Sequence, residues 1–391
     1  MPRRIAVVTG TRAEYGLLKG LIRRLHTDQT IDLALVVTAA HLDPAFGETW
    51  REIEADGLPI TAKVPMVLDG GSRLAAARGL GAGTAAMAEA LENLRPDLVV
   101  VLGDRMELLA VASACVILGL PLAHIHGGEI TEGAMDDAIR HALTKMSHLH
   151  FAAAEPYRRR ILQMGEAPER VVMAGALGID NVMNTDFLDR AALEADLGFA
   201  LDRPVLLVTY HPETMDDRPP AEAFSALLTA LERFPETRVV ITKANADPGG
   251  QIINDMIDAW TAQRPDHARA FTSLGVRRYL SLMRHSAAVV GNSSSGIIET
   301  PAFGIPTVNI GGRQQGRLRA DSIIDCGPGT EAITTAIAQA LSEPFRHRAA
   351  ATMPPYGRGG AAEAIHRVLA SVEIAGLRHK HFVDLDMGEL P

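Results

Sequence analysis

Charged side chains directly follow two continuous apolar runs in the first half of the chain. Asp104 and Arg105 come after one run, and His126 and Glu129 come after the next. Continuous apolar runs are typical of buried parallel strands, and the ligands of parallel sheets bind outside the carboxyl ends of the strands. We therefore expect these four side chains to converge on one crevice.

Asp136 and Arg140 extend this charged set into the helix that follows. They are four residues apart and share one helix face, with Asp136 in the first turn, where the helix dipole favours a carboxylate. Several carboxylates around one ligand push their pKa values apart, so that one can act as a base and another as an acid near neutral pH. A set of strand-end and capping charges is the alternative interpretation.

A metal site is the other common use of His and carboxylate side chains. No H-x-x-x-H or D-x-D pairing occurs in this stretch of the chain, and Arg105 and Arg140 would oppose a bound cation. We therefore expect no metal ion at this crevice.

A second candidate site lies near residue 291, where small polar residues follow another apolar run. The run continues as Gly291-Asn292-Ser293-Ser294-Ser295-Gly296 and leads into a predicted helix. The hydroxyls of Ser293, Ser294 and Ser295, together with the backbone near Gly296, can donate hydrogen bonds to a phosphate at a helix N-terminus. A serine-capped helix without a ligand is the alternative.

Four further residues are candidates for contacts with the same ligand. Arg313 follows a strand along the same sheet edge and can pair with phosphates, while Glu299, one turn into the helix, can accept hydrogen bonds from ribose hydroxyls. His211 ends a strand and can protonate or bind a departing phosphate, unless it is a structural loop histidine. Asn245 follows another predicted strand and is assigned to the nucleotide site.

The N-terminal turn gives a third candidate contact. A short apolar strand runs into Gly10-Thr11-Arg12, and an apolar-periodic helix follows. The turn matches neither the G-x-G-x-x-G pattern of dinucleotide sites nor the P-loop, which needs a G-K-[ST] ending. Backbone N–H groups and Arg12 facing an anion are one interpretation, and an ordinary strand-to-helix turn with a solvated Arg12 is the other.

Composition excludes some functional classes. The chain has 391 residues, of which 47% are hydrophobic and 22% charged, as is usual for a globular protein of two or three domains. Its net charge of −9 argues against a nucleic-acid partner, although a local arginine cluster can still bind a small anion. No apolar run approaches the roughly 18 residues of a membrane span, and the N-terminus does not resemble a signal peptide. We expect a soluble cytoplasmic protein.

Apolar runs alternate with helix-periodic segments in both halves of the chain. This alternation predicts an α/β fold with two doubly wound parallel-sheet, Rossmann-like domains. We expect the first domain at residues 1–182, the second at 183–372 and a polar tail at 373–391. The Gly- and Ala-rich segment 68–83 is expected to be a mobile connection.

The motifs together resemble those of the UDP-N-acetylglucosamine 2-epimerase family, in particular its hydrolysing branch. They cover residues 1 to about 370 in order. The matching motifs are Gly10-Thr11-Arg12-Ala13-Glu14-Tyr15, Gly103-Asp104-Arg105, His124-Ile125-His126-Gly127-Gly128-Glu129, Asp136-Asp137-Ala138-Ile139-Arg140-His141, His211-Pro212, Gly291-Asn292-Ser293-Ser294-Ser295-Gly296 and Gly312-Arg313-Gln314. The hydrolysing branch feeds sialic and legionaminic acid biosynthesis.

The resemblance implies a glycosyltransferase-B-like fold with a UDP-sugar in the interdomain cleft. It implies anti elimination of UDP to a 2-acetamidoglucal, followed by water addition with inversion at C2, which releases UDP and ManNAc or its 2,4-diacetamido-2,4,6-trideoxymannose analogue. No cofactor is required, because proton transfer inverts the centre without hydride transfer. A homodimer or a higher homo-oligomer is also expected from the resemblance.

The resemblance assigns roles to individual residues. Asp104, Asp136 and an acidic residue of the loop after the second strand serve the sugar. Arg12, Arg105, His211, Ser293, Ser294, Glu299 and Arg313 match nucleotide and phosphate contacts. Some members carry Glu where this chain has His126, so either His126 or Glu129 can be the residue that faces the sugar.

Three interpretations of the function are compatible with these residues. The first is the hydrolysing epimerase, the second is a glycosyltransferase with the same fold and nucleotide site, and the third is a nucleotide-sugar-binding protein without turnover. A transferase offers no role for three carboxylates around C2. The motifs do not distinguish UDP-GlcNAc from UDP-2,4-diacetamido-2,4,6-trideoxyglucose as the substrate.

Overall fold

The computed structural model describes residues 2–66, 73–132, 135–213, 218–244 and 249–384. The chain forms two compact units. The first unit comprises Met1–Glu129, Asp136–Asp180 and Gly359–Pro391, and the second comprises Ile130–Met135 and Asn181–Arg358. Each unit contains one parallel sheet with helices on it, which confirms the predicted α/β class with two Rossmann-like domains.

The strands of both sheets are numbered in chain order. They are β1 (Arg3–Thr9), β2 (Ile31–Thr38), β3 (Ile60–Val64), β4 (Leu98–Leu102), β5 (Leu122–Ile125), β6 (Leu149–Ala152), β7 (Val171–Met173), β8 (Val205–Thr209), β9 (Arg238–Thr242), β10 (Ala268–Phe271), β11 (Ala288–Gly291), β12 (Thr307–Ile310) and β13 (Ile323–Cys326). The candidate residues lie at the ends of apolar runs, and these runs are strands, as predicted.

The helices are likewise numbered in chain order. They are α1 (Arg12–Thr27), α2 (Trp50–Ala55), α3 (Arg73–Leu94), α4 (Met106–Leu118), α5 (Asp136–Met146), α6 (Glu155–Gln163), α7 (Leu177–Asn184), α8 (Arg190–Leu197), α9 (Pro220–Leu231), α10 (Gly250–Ala262), α11 (Gly275–His285), α12 (Ser294–Ile298), α13 (Thr330–Leu341), α14 (Glu343–Ala350), α15 (Ala361–Ser371) and α16 (Ile374–Leu377). No helix in the described part of the chain combines the length and the hydropathy that a membrane span needs.

The sheet of the first unit has the order β3-β2-β1-β4-β5-β6-β7. Its strand order reverses between β1 and β4, which are paired in parallel. A crevice opens at the carboxyl end of such a switch point, and ligands bind there in open α/β sheets. The turn after β1 and the Asp104 segment after β4 both lie at this edge.

The core of the first unit lies on both faces of its sheet. One face buries Ile5 and Leu18 in one apolar cluster, and the other buries Val8 and Leu108 in a second cluster. Strands that are buried on both faces read as continuous apolar runs, which explains the sequence pattern. Removal of this apolar surface from water is the main stabilising contribution, at roughly 25 cal/mol per Å².

The end of the chain belongs to the first unit. Helix α15 packs against α1, with Ile365 and Leu369 in the same core cluster as Leu18. Further on, the Lys380 ammonium donates to the carbonyls of Lys145 and Ser147 at 2.6 Å each. The compact units thus differ from the expected ranges, in which residues up to 372 formed the second domain and residues 373–391 a tail. The apolar face of α15 and the hydrogen bonds of the partly buried Lys380 ammonium account for this difference.

The sheet of the second unit has the order β10-β9-β8-β11-β12-β13. Its strand order also reverses, here between the paired strands β8 and β11. The carboxyl ends of β8, β11 and β12 carry His211, the Gly291–Ser295 region and Arg313 respectively. The topology therefore places these candidate residues along one edge of one sheet.

Candidate active site

A buried arginine joins two carboxylates at the carboxyl edge of the first sheet. Arg140, on α5, is 2% exposed, and its Nη1 lies 3.0 Å from Glu129 Oε2. Its Nη2 donates to Asp104 Oδ2. One guanidinium thus compensates two carboxylates that come from the ends of β4 and β5, and charge-assisted pairs of this kind are stronger than neutral hydrogen bonds.

His126 lies behind Glu129 and contacts it. The Leu177 N–H donates to His126 Nε2 at 3.4 Å, so the ring proton is on Nδ1, which lies 3.3 Å from Glu129 Oε1. His126 is also a non-glycine residue with a positive φ of 65°. This strained backbone conformation makes a sharp turn between β5 and Glu129.

The glycines of this loop allow close contact with helix α6. A Cβ atom on Gly128, whose φ is 74°, would lie 2.4 Å from the Tyr157 carbonyl oxygen. Arg160, also on α6, donates from Nη1 to the Gly128 carbonyl oxygen. Three consecutive arginines, at 158–160, are typical of a solvated helix face, but Arg160 is half-buried and contacts this loop. Its spacing of three from the buried Tyr157 is the sequence signal that it faces inward.

Asp136 and the second histidine of the motif take different positions. Asp136 is the first residue of α5, one turn before Arg140, and it is partly exposed. His124 is fully buried, with Nε2 at 2.7 Å from the Gly103 carbonyl oxygen and Nδ1 at 3.3 Å from the Thr144 hydroxyl. Burial lowers the His124 pKa to about 3, so His124 is a neutral structural residue.

The turn after β1 satisfies its own backbone donors. Glu14 accepts hydrogen bonds from the N–H groups of Gly10 and Thr11 at 2.8 and 3.1 Å, as part of a capping box. These two N–H groups therefore donate within the turn. Of the groups expected to contact an anion there, the Arg12 side chain is the one that remains. The Arg12 guanidinium is about one-third exposed and lies 4.0 Å from Glu52.

Two carboxyl groups meet beneath this turn. Glu107 Oε1 would lie 2.4 Å from a Cβ on Gly10, the residue whose N–H binds Glu14. Burial, and then the nearby Glu107, raise the Glu14 pKa to about 8. The Nε of Arg105 lies 3.8 Å from Glu107 Oε1, so the charge of Arg105 faces this pair. Glu107 is a residue of this site that our sequence analysis missed.

Asn292 connects the strand ends of the second unit. Its side-chain oxygen accepts from the His211 N–H at 2.7 Å, and its amide donates to the His211 carbonyl at 2.8 Å. Its own carbonyl accepts from Arg313 Nη1 at 3.1 Å and from the Gln314 amide at 2.8 Å. Asn292 thus fixes the backbone of His211 and the orientation of Arg313. The sequence motif does not show this role, because Asn292 acts on strand ends that are distant in sequence.

The serine segment combines a tight turn with a short helix. Gly291 has a φ of 137°, and a Cβ there would lie 1.9 Å from the Thr209 carbonyl oxygen, so the position requires glycine. Ser293 caps α12 by accepting from the Ser295 N–H at 3.4 Å. The Ser295 hydroxyl lies 2.6 Å from the Tyr279 hydroxyl. Helix α12 has only five residues and is followed by a 3-10 turn at Thr300–Phe303, so hydroxyl and backbone donors contribute more than a helix dipole.

The remaining candidates of the second unit surround this segment. A Cβ atom on Gly296 would lie 2.9 Å from Thr307 Cγ2, so the glycine allows a close contact with Thr307. Glu299 ends α12, and burial raises its pKa to about 7. Ser294 begins α12 and is partly exposed. Asn245 lies outside the described residues.

A further carboxylate, which we had not assigned, lies at this edge. Glu213 accepts from the Gly312 N–H, with its two oxygens at 3.2 and 3.3 Å. A Cβ on Gly311 would lie 2.0 Å from Glu213 Oε1, so the glycine pair allows the carboxylate to approach the backbone. Glu213 thereby positions the turn that carries Arg313. Within the ranges that the structure describes, no group of three or more His, Cys, Asp or Glu side chains could hold a metal ion.

The fold defines a class of protein. Two Rossmann-like units, each with polar residues at the carboxyl ends of its strands, define a glycosyltransferase-B-like fold. A solved UDP-GlcNAc 2-epimerase from Neisseria meningitidis, bound to UDP-GlcNAc, matches with a TM-score of 0.78 and 20% identity over 94% of this chain and 99% of that chain. The Staphylococcus aureus MnaA–UDP structure matches with a TM-score of 0.77 and 18% identity over 94% and 96%.

Sequence comparison identifies the family. A family model described as UDP-N-acetylglucosamine 2-epimerase matches residues 23–370. The chain belongs to the UDP-N-acetylglucosamine 2-epimerase family.

Individual relatives identify the branch of the family. A Campylobacter jejuni protein named GDP/UDP-N,N'-diacetylbacillosamine 2-epimerase (hydrolyzing) is 39% identical over 98% of this chain and 99% of its own length. A Legionella pneumophila UDP-N,N'-diacetylbacillosamine 2-epimerase (hydrolyzing) is 35% identical over 96% and 97%. The Escherichia coli polysialic acid biosynthesis protein P7 is 34% identical over 98% of each chain. The chain is an enzyme of the hydrolysing branch, which confirms the predicted family and activity class.

Proposed function

We propose that this enzyme converts a UDP-linked 2-acetamido sugar and water into UDP and the free sugar with inverted configuration at C2. The reaction proceeds by anti elimination, in which the C2 proton and UDP leave to give a 2-acetamidoglucal. Water then adds its hydroxyl to C1, while a proton adds to the opposite face of C2. The substrate and one water molecule account for all atoms of UDP and the free sugar, and no oxidant or reductant is needed.

The contact between Arg140 and the two carboxylates Asp104 and Glu129 is the observation that carries this proposal. The C2 hydrogen of a sugar becomes acidic only when the C1–O bond has begun to break and positive charge develops at C1. An enzyme for this reaction needs two carboxyl groups near C2, one that acts as a base and another that acts as an acid. Asp104, Glu129 and Asp136 have these roles in the proposal, and Arg140 holds the first two in place.

Glu129, and not His126, is the acidic loop residue that we assign to the sugar. Both nitrogens of the His126 ring have protein partners, one of which is the Glu129 carboxylate itself. A histidine held in this way orients a neighbouring carboxylate. His126 therefore supports Glu129 in the proposed mechanism.

The second unit binds the leaving group in this proposal. Departing UDP carries negative charge that hydroxyl, backbone and guanidinium donors stabilise. Ser293, Ser294 and Arg313 supply such donors, and His211 can give a proton to the departing phosphate. Glu299 can accept hydrogen bonds from the ribose hydroxyls.

We propose UDP-N,N'-diacetylbacillosamine, the 2,4-diacetamido-2,4,6-trideoxyglucose derivative, as the preferred substrate. The two relatives named for this sugar are 39% and 35% identical to the chain. A Neisseria meningitidis protein named UDP-N-acetylglucosamine 2-epimerase is 29% identical over 87% of the chain. The Campylobacter name also includes GDP, so the GDP-linked sugar belongs in the same comparison.

Proton NMR of the enzyme in D2O with each nucleotide sugar tests these proposals. The epimerase predicts a free manno-configured sugar that carries deuterium at C2, with faster turnover of the diacetamido substrate. A glycosyltransferase predicts no deuterated sugar without an acceptor, and a sensor predicts binding without product. Faster turnover of UDP-GlcNAc would overturn the substrate assignment alone. The expected homodimer or higher homo-oligomer and the expected cytoplasmic location stay predictions, which light scattering and cell fractionation test.

A further inference from the structure

The loop that carries Glu129 is held from outside the charged cluster by helix α6. Arg160 on α6 donates from Nη1 to the carbonyl oxygen of Gly128. This carbonyl and the N–H of Glu129 belong to the same planar peptide unit. The arginine contact therefore fixes the plane from which the Glu129 side chain projects.

The backbone of the loop leaves no space between itself and α6. A Cβ on Gly128 would lie 2.4 Å from the Tyr157 carbonyl oxygen and 2.8 Å from Ile161 Cγ1. The Arg160 guanidinium carbon lies 5.8 Å from the centroid of the Tyr157 ring, which is within cation–π range. The side chain that donates to Gly128 is thus itself held by α6, so it can transmit the position of the helix to the loop.

The loop needs such support because its conformation is strained. His126 adopts a positive φ of 65°, a conformation that is sterically unfavourable for a non-glycine residue. Strained backbone persists only where the surrounding contacts determine it. The contacts that surround this loop include the Leu177 N–H on His126, Arg140 on Glu129 and Arg160 on Gly128.

The positive charge of Arg160 also acts on a residue of the helix that carries Arg140. Burial lowers the pKa of His141, the next residue on α5; Asp137 raises it, and the positive charges of Arg140 and Arg160 lower it further. Arg160 thus influences a residue of α5 through its charge and the glycine loop through its hydrogen bond. It lies near both segments that define the position of the Glu129 carboxylate.

We infer that Arg160 is a positioning residue of the reaction, which holds the Gly128–Glu129 peptide so that the Glu129 carboxylate meets the sugar in a productive geometry. The inference rests on the proposed function, because it takes Glu129 to act at the sugar. It assigns a functional role to a residue of α6 that contacts the loop through its backbone.

Two substitutions and a neighbouring control test this role. Arg160→Met removes the donor and keeps the aliphatic stem, and Arg160→Lys restores one donor. Arg159→Met is the control, because Arg159 is on the same helix with a side chain that is 78% exposed and an ion pair to Glu155 at 3.6 Å. The measurements are kcat and KM for the nucleotide sugar, the dissociation constant for UDP, and the melting temperature.

If Arg160 positions the Glu129 carboxylate, its removal should change kcat more than KM. A displacement of about 1 Å at a reacting group can cost on the order of 100-fold in rate, so we expect Arg160→Met to lower kcat by about 10-fold or more. KM and the UDP dissociation constant should stay near their wild-type values. Arg160→Lys should recover most of the lost kcat, and Arg159→Met should match the wild type.

The contrary results are distinct. Wild-type kcat in Arg160→Met would overturn the inference, and so would an equal loss in Arg159→Met. A loss that follows the melting temperature and is not recovered by Arg160→Lys would show a purely structural role and would also overturn it. In each of these cases the wild type still makes product and the proposed function stands. Absence of product from the wild type would overturn the proposed function and the inference with it.

Discussion

The two units use different chemistry at the carboxyl ends of their strands. In the first unit the edge carries ionisable side chains that pair with one another, and two of them are buried, with Arg140 2% exposed and Glu129 1% exposed. In the second unit the corresponding edge is made mainly of hydroxyls, amides and backbone groups around Asn292 and Ser293. Charges that compensate each other inside the protein suit proton transfer, whereas neutral donors suit an anion that must bind and leave.

The difference also has an energetic consequence. Removing one member of a buried ion pair leaves an uncompensated charge in a dry site, which costs far more than the loss of a neutral hydrogen bond. The first edge should therefore tolerate substitution poorly in stability and turnover. The second edge should lose ligand affinity in smaller steps.

The largest effect is expected from Arg140→Met. This change leaves Glu129 and Asp104 without their shared cation, so we expect a loss of about 3–5 kcal/mol in the free energy of unfolding, together with loss of turnover. Urea denaturation followed by circular dichroism measures the stability. Arg159→Met is the matched control on an exposed arginine. A loss below about 1 kcal/mol, typical of a surface pair, would remove the distinction between the two edges.

Asp104→Asn should separate the two edges without unfolding the chain. The amide keeps the shape of the side chain but cannot act as a base, so turnover should fall by about 100-fold or more. UDP affinity, measured by calorimetry, should stay within a few fold, because Asp104 is assigned to the sugar and not to the nucleotide. Asp266→Asn, at an exposed position of the second unit, is the control. Wild-type turnover in Asp104→Asn would exclude Asp104 from the mechanism.

Ser293→Ala tests the neutral edge. A hydrogen bond to a charged group contributes about 1.5–3 kcal/mol, so the loss of one hydroxyl should weaken UDP binding by roughly 10-fold. The kcat should change much less than the affinity. Ser225→Ala, on the exposed face of α9, should leave both quantities unchanged. An effect on kcat alone would place Ser293 in the chemistry of the reaction and blur the comparison.

The smallest effect concerns the pH dependence of UDP affinity. Burial raises the Glu299 pKa to about 7, so the carboxylate fraction grows as the pH rises from 6 to 8. The ionised form is the better acceptor for ribose hydroxyls, and affinity should therefore increase by a few fold over this range. UDP itself titrates there too, so the ratio of wild type to Glu299→Gln isolates the contribution of the protein. A ratio that stays constant with pH would contradict the ribose contact.

Much of the fold could be predicted because buried strands leave a simple pattern. The sequence predicts strands at Ile31–Thr38, Arg238–Thr242 and Thr307–Ile310, and these bounds coincide with those of β2, β9 and β12. Segment 68–83 was predicted less well: residues 67–72 lie outside the described residues, and helix α3 begins at Arg73. The glycines of this segment suggested a loop, but its alanines and the packing of α3 against α4 favour a helix.

The candidate site could be predicted in part for a related reason. Asp104 and Glu129 follow adjacent strands, so topology alone predicts that they lie close together, and Arg140 joins them. Arg160 and Glu213 act on backbone groups of segments that are distant in sequence. Neither their residue types nor their local spacing shows such contacts, because they arise only when the sheet and its helices have packed.

The route of the chain between the two units limits how the protein can be divided. The assignment of residues changes unit after Glu129, Met135, Asp180 and Arg358. A gene split at residue 180 would therefore give one fragment without α15 and another without the short excursion at 130–135. We expect neither half to reach a native core by itself. Fragment complementation in this protein would require a cut inside a surface loop of one unit, with all four crossings left intact.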